Sequence, residues 1–218
     1  MVSVSRTTTA FLAVLLMALT TSDVLAQNTK TRKYSFGAIF ASEFYNADFK
    51  TLNELLDSRE LLSSSFGLVL DNKEQGAYAT IEYQSIRSVS DEIDVKGNAI
   101  YVSANYNLLK SLRHLLYPRL SVMATKYQVE ANENLLFLAE GDELSSNFQV
   151  SSGLGVGYEY LFKLNFLKKI SQFALGLNLE KSFILSKNQW KIGDLAVDFF
   201  DANLLSGIRT KVVIRIIL

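Results

Sequence analysis

Eight stretches of apolar–polar alternation follow one another from residue 34 to residue 218, and they constrain this chain more than any other feature. Alternation at period two sends successive side chains to opposite faces of a strand. The stretches are Tyr34–Ser42, Ser64–Leu70, Ala77–Arg87, Ala99–Leu108, one from just after Pro118 to about Val129, Ser151–Phe162, Gln172–Ile184 and Leu205–Leu218. The last is the clearest: Thr210, Val212, Ile214, Ile216 and Leu218 oppose Gly207, Arg209, Lys211 and Arg215. The fifth weakens near Lys126, where a bulge or a membrane edge is expected. Strands of this number and length suit a small antiparallel barrel. Closure follows from the edges, because an open sheet would leave the long, Pro-free last strand as an aggregation-prone edge.

Alternation alone does not say which face is inside. The polar face carries many small residues, among them Gly37, Gly67, Gly155, Gly157, Gly176 and Gly207. Glycine weakens a solvated strand but fits a narrow lumen beside long charged side chains. That face also carries both signs of charge, Glu82, Glu159 and Glu180 with Arg209, Lys211 and Arg215. Enclosed charges must be paired, since taking an isolated ion out of water is costly. The expectation is a polar lumen held by a network of these six residues, with apolar side chains outside. Outward aromatics near strand ends, Tyr34, Tyr106, Tyr160, Phe162 and Phe173 at one end and Phe40 and Tyr83 higher up, read as interfacial girdles.

Residues 1–26 read as a signal peptide: Arg6, an apolar run from Ala10 to Leu19, and Val24-Leu25-Ala26 as the cleavage pattern. Residues 27–218 are then a single barrel domain. The chain has no Cys and one His, so disulfides, thiolate metal sites and multi-histidine zinc are excluded. Equal counts of basic and acidic residues argue against nucleic-acid binding.

The expected extracellular loops are 43–63, 88–98, 130–149 and 185–204, with shorter turns and both termini in the periplasm. The first loop spaces Phe49, Leu52, Leu55 and Leu56 as a short amphipathic helix. The third carries Glu130, Glu133, Glu140, Asp142 and Glu143 around an apolar Leu135–Leu138 centre, read first as a strand extension and second as a partner contact. Lys110, Arg113 and Arg119 make one periplasmic turn basic, and Lys163, Lys168 and Lys169 another; anionic head groups or simple solubilisation account equally for them.

No catalytic residue, cofactor or metal ligand is assigned. His114 lies in a periplasmic turn with only Ser111 nearby, and reads as a solvated histidine. Asp91, Glu92 and Asp94 lack the spacing of a calcium loop.

A leader, a Leu/Phe-rich first loop, Leu115-Leu116-Tyr117-Pro118, the run Gly153-Leu154-Gly155-Val156-Gly157-Tyr158, Trp190 and a terminal strand with Gly207-Ile208-Arg209 together resemble the small outer-membrane β-barrel proteins common in Bacteroidota, of OmpA- and OmpX-like architecture. The chain departs from the usual pattern by ending on Leu218 rather than an aromatic residue. The resemblance implies an outer-membrane location. The reading is therefore an all-β, eight-stranded, up-and-down transmembrane barrel with a short helix in its first long loop. Its role is structural or interactive, its partners being outer-membrane lipids and an extracellular contact through the loops, and it is expected to be monomeric. A soluble lipocalin-like barrel around an apolar ligand and a lipid-modifying outer-membrane enzyme are the alternatives.

Overall fold

The computed structural model describes residues 33–46, 60–89, 93–111, 113–131, 141, 143–162, 172–186, 189–197 and 207–218. Residues 1–26, where a signal peptide is expected, and most of the expected first loop lie outside them. The strands in chain order are β1 (Tyr34–Asn46), β2 (Glu60–Asn72), β3 (Ala77–Val89), β4 (Ile93–Tyr106), β5 (Leu109–Lys110), β6 (His114–Ala131), β7 (Glu143–Ser146), β8 (Gln149–Phe162), β9 (Gln172–Ile184), β10 (Trp190–Ile192), β11 (Leu195–Val197) and β12 (Gly207–Ile217).

Eight of these strands, β1, β2, β3, β4, β6, β8, β9 and β12, pair antiparallel in that order. β12 returns to β1 from Gly37↔Ile217 to Tyr45↔Arg209, so the ring is closed. A path of register partners that leaves β6 at Lys126 runs through Asn98, Ser85, Ser64, Ser42, Val212, Leu177 and Tyr158 and re-enters β6 at Leu116, a stagger of ten residues. With strands about 4.8 Å apart and a rise of about 3.3 Å per residue, that stagger tilts them by roughly 40°. The interior of such a ring is only wide enough for side chains.

Several strands run past their apolar stretches. β3 and β4 continue as a paired ribbon to Val89↔Asp94, so only residues 90–92 separate them and most of the expected second loop is strand. The polar outer residues Ser85, Arg87, Lys96 and Asn98 ended the apolar pattern without ending the backbone ladder. β6 begins at His114, before Pro118, and alternates without a break through Lys126, so the expected bulge is not there. Pro118 is tolerated because its neighbour turns away: the ladder to β4 stops at Asn105↔Arg119, and pairing resumes with β5 at Leu109↔Leu116. The helix expected in the first loop is not seen. Its residues 47–59 lie outside the described part, residues 43–46 and 60–62 are strand, and there is no helix among the described residues.

At the end of the barrel away from the chain termini, β6 leaves β8 beyond Thr125 and pairs with β7. β10 adds to β7 and β11 to β10, forming a flap built from two loops. The hairpin between β10 and β11 turns at Gly193, whose φ of 58° favours glycine.

The interior is tiered rather than uniformly polar. Near the flap, Tyr45, Leu61, Ile86, Val95, Met123, Tyr127, Val129, Leu144 and Trp190 form a buried apolar cluster. A second cluster, including Ile39, Val69, Leu115, Leu161, Val213 and Ile217, fills the opposite part.

Candidate functional site: the charged lumen

The alternation that builds each strand also aims its charged residues inward. Glu43 on β1, Glu82 on β3, Glu159 on β8 and Glu180 on β9 are buried, as are Arg119 on β6 and Arg209, Lys211 and Arg215 on β12. Four carboxylates thus meet four cations in a space closed by backbone, and the formal charge cancels.

Glu82 accepts from Lys211 Nζ, from Ser65 Oγ at 2.7 Å and from Thr80 Oγ1 at 2.9 Å, with Arg119 Nη2 at 3.7 Å. Glu180 accepts from Tyr101 OH at 2.7 Å and Ser121 Oγ at 2.8 Å, and lies 3.4 Å from Arg119 Nε and 3.5 Å from Arg209 Nη1. Arg209 Nε donates to Glu43, whose other oxygen accepts from Gln84 Nε2 at 3.0 Å. Glu159 takes two bonds from Arg215, at 2.8 and 2.6 Å, and two from the hydroxyls of Tyr78 and Tyr117, at 2.8 and 2.9 Å. The donors surround each carboxylate, which is the condition for keeping an ion out of water without a large penalty.

Tyrosine rings hold the cations from the side. Lys211 Nζ lies 4.3 Å from the centre of the Tyr101 ring, and Arg119 and Arg209 lie at 5.1 and 5.4 Å from it. Arg215 stacks at 4.6 Å over Tyr78. Desolvated contacts of this kind are among the stronger cation–π pairs. Glycine makes the room. A β-carbon on Gly157 would stand 2.2 Å from the Tyr117 ring, and one on Gly153 would stand 2.2 Å from Glu180 Oε1.

All six residues singled out from the sequence face this interior, in two groups. Glu82, Lys211, Glu180 and Arg209 are joined through Arg119, while Glu159 and Arg215 pair apart from them. Sequence reasoning missed Glu43, placed in a loop, and Arg119, placed in a periplasmic turn. It also missed the lumenal faces of Tyr45, Tyr78, Tyr101 and Tyr117. Parity within each strand carried the signal, since Tyr78 sits between Ala77 and Ala79 and Tyr101 between Ile100 and Val102.

Outside, the polarity is reversed. Phe36, Leu68, Ile81, Ile100, Val102, Leu120, Leu154, Val156, Leu177 and Leu179 are all exposed, on strands all round the ring. An apolar surface this continuous is foreign to a monomeric soluble domain. No protein-family profile matches the sequence, and no curated protein is similar to it. Solved structures are. Neisserial surface protein A matches with a TM-score of 0.50 and 14% identity, over 85% of this chain and 97% of that one. The N-terminal β-barrel domain of Pseudomonas aeruginosa OprF matches at 0.45 and 13% identity, over 86% and 98%. Ail, the attachment invasion locus protein of Yersinia pestis, matches at 0.42 and 13% identity, over 84% and 96%. The fold is that of a small outer-membrane β-barrel.

In this small outer-membrane barrel His114 stands at the end where the termini lie. Its Nδ1 is 2.6 Å from Tyr158 OH, and the hydroxyl of Ser111 accepts from the backbone N–H of Arg113 and His114 rather than facing the imidazole. Asp91 and Glu92 lie outside the described residues, among which no group of three potential metal ligands occurs. In the third loop Glu130 and Glu143 are register partners, Glu130 is bridged by Lys96 at 2.9 Å, and Leu135–Leu138 lie outside the described residues.

Proposed function

We propose that this chain is an outer-membrane protein whose sealed barrel serves as an anchor and whose long loops make structural or adhesive contacts at the cell surface. One observation carries the reading: an apolar ring faces outward around the whole barrel while four carboxylates and four cations cancel inside it. In water this arrangement is inverted; in a bilayer it is the stable one. Residues 1–26 are the export signal. The termini lie at the same end of the barrel as the short β2–β3 turn, so both are assigned to the periplasm and the flap to the outside. The similar neisserial protein is by its name a surface protein, which accords with this role. The eight lumen charges act as internal struts rather than as a catalytic or ligand-binding set, and no enzymatic activity or cofactor is proposed. A soluble carrier of an apolar ligand would need the greasy face inside.

The test is fractionation of cells expressing the full chain, followed by gel mobility with and without boiling. The protein should sediment with the outer membrane, need detergent for release, and migrate as a compact band until heated. Recovery from osmotic-shock fluid as a detergent-free soluble protein would overturn the proposal.

A further inference from the structure

On the β6, β8 and β9 side the periplasmic end of the apolar ring carries a column of rings: Tyr160 against Phe162 at 4.8 Å, and Phe162 against Phe173 at 5.6 Å. Beside this column the β5–β6 hairpin presents Leu108 and Leu109, both 63% exposed, with Leu109 in register with Leu116 on the outer face. Two polar residues cap the column. His114 is the register partner of Tyr160, packs edge-on against its ring at 5.2 Å and shares a hydrogen bond with Tyr158 OH. Arg113 donates from Nη1 to Tyr160 OH at 3.4 Å.

The scaffold under these two residues is fixed. Ser111 N donates to His114 O at 2.9 Å, Ser111 Oγ accepts from both following N–H groups, and Leu161 N donates to Arg113 O at 2.7 Å. No carboxylate among the described residues pairs with Arg113; Glu159, the nearest in sequence to Tyr158 and Tyr160, points into the lumen and is spoken for by Arg215. This patch therefore presents a guanidinium with no carboxylate partner among the described residues, an imidazole and two phenols above a greasy apron. A phosphodiester with acyl chains below it is the chemical complement: the guanidinium fork and phenol O–H groups suit the phosphate, and the leucines and rings suit the chains.

We propose that Arg113, His114, Tyr158 and Tyr160 form a docking site for the headgroup of an anionic phospholipid in the periplasmic leaflet. The inference rests on the membrane reading above. It gives one basic turn a defined recognition role; general attraction by scattered lysines would need no such geometry.

His114 is the only histidine in the chain, so ring labelling gives a single-site reporter. The full mature chain is placed in lipid nanodiscs of phosphatidylcholine with a rising fraction of phosphatidylglycerol. The imidazole resonances should shift saturably with that fraction. Arg113→Gln should weaken the apparent affinity about fivefold, the worth of one interfacial cation. Tyr160→Phe changes no charge, so it leaves the general surface potential alone, and it should weaken the response as well. Responses unchanged in both variants would overturn the site, as would an equal response to inorganic phosphate in pure phosphatidylcholine discs. A chain that folds and inserts but shows no lipid-dependent shift loses only this site; one that stays soluble without detergent loses the membrane reading with it.

Discussion

Glu159 and Arg215 show what a single buried pair has to do here. Two guanidinium donors and two phenol donors converge on one carboxylate, and Arg215 is its only cation among the described residues. Removing the arginine alone leaves an ion whose desolvation is met by neutral donors only. Arg215→Met is therefore expected to destabilise the barrel by about 3–5 kcal/mol, while Arg215→Met combined with Glu159→Gln should recover much of that loss. Urea unfolding in lipid vesicles measures both. A single variant within about 1 kcal/mol of the parent would show that the pair is not structurally coupled. Glu82 offers the contrast. It faces both Lys211 and Arg119, so losing one cation there leaves another in place.

At the scale of elements, the lipid-side pattern was legible wherever the outer face was apolar. Boundaries were not, because an alternation rule reads side-chain polarity while a strand is a backbone ladder. Lys96 looked like a loop residue although it is the register partner of Arg87, and Glu43 looked like the first residue of a loop although it pairs with both Ser63 and Lys211. Arg119 was lost to a rule about proline, since the break opposite Pro118 is a property of the neighbouring strand and invisible locally. The flap was beyond reach for a different reason. β7, β10 and β11 are three or four residues long and come from two loops, so their pairing is set by packing rather than by period. Trp190 supplies that packing: it is buried among the residues that close the barrel mouth. Trp190→Ala should cost the flap about 3–5 kcal/mol of burial while the ring of eight strands stays paired. Hydrogen exchange would then show β7, β10 and β11 opening with β1 and β12 still protected. Uniform loss of protection across all strands would mean that flap and barrel are one cooperative unit.

For the molecule as a whole, the decisive property is which medium surrounds the outer face, and one substitution separates the cases. Leu177 on β9 is 50% exposed, with Gly176 and Asn178 beside it in sequence and the outward-facing Tyr158 and Val212 across the two ladders. Its side chain touches little of the protein. In water, replacing an exposed leucine with arginine changes stability by about 0.5 kcal/mol or less. Facing hydrocarbon well inside the apolar ring, the same change costs roughly 2–4 kcal/mol, falling toward zero near either interface. Leu177→Arg and, as a control at the rim, Phe148→Arg should thus separate by a few kcal/mol when folding is measured in bilayers. The lumen has no part in that difference, because neither side chain enters it. Equal, small effects at both sites would mean that solvent bathes the ring, and the balanced interior charges would then need an explanation other than enclosure in a membrane.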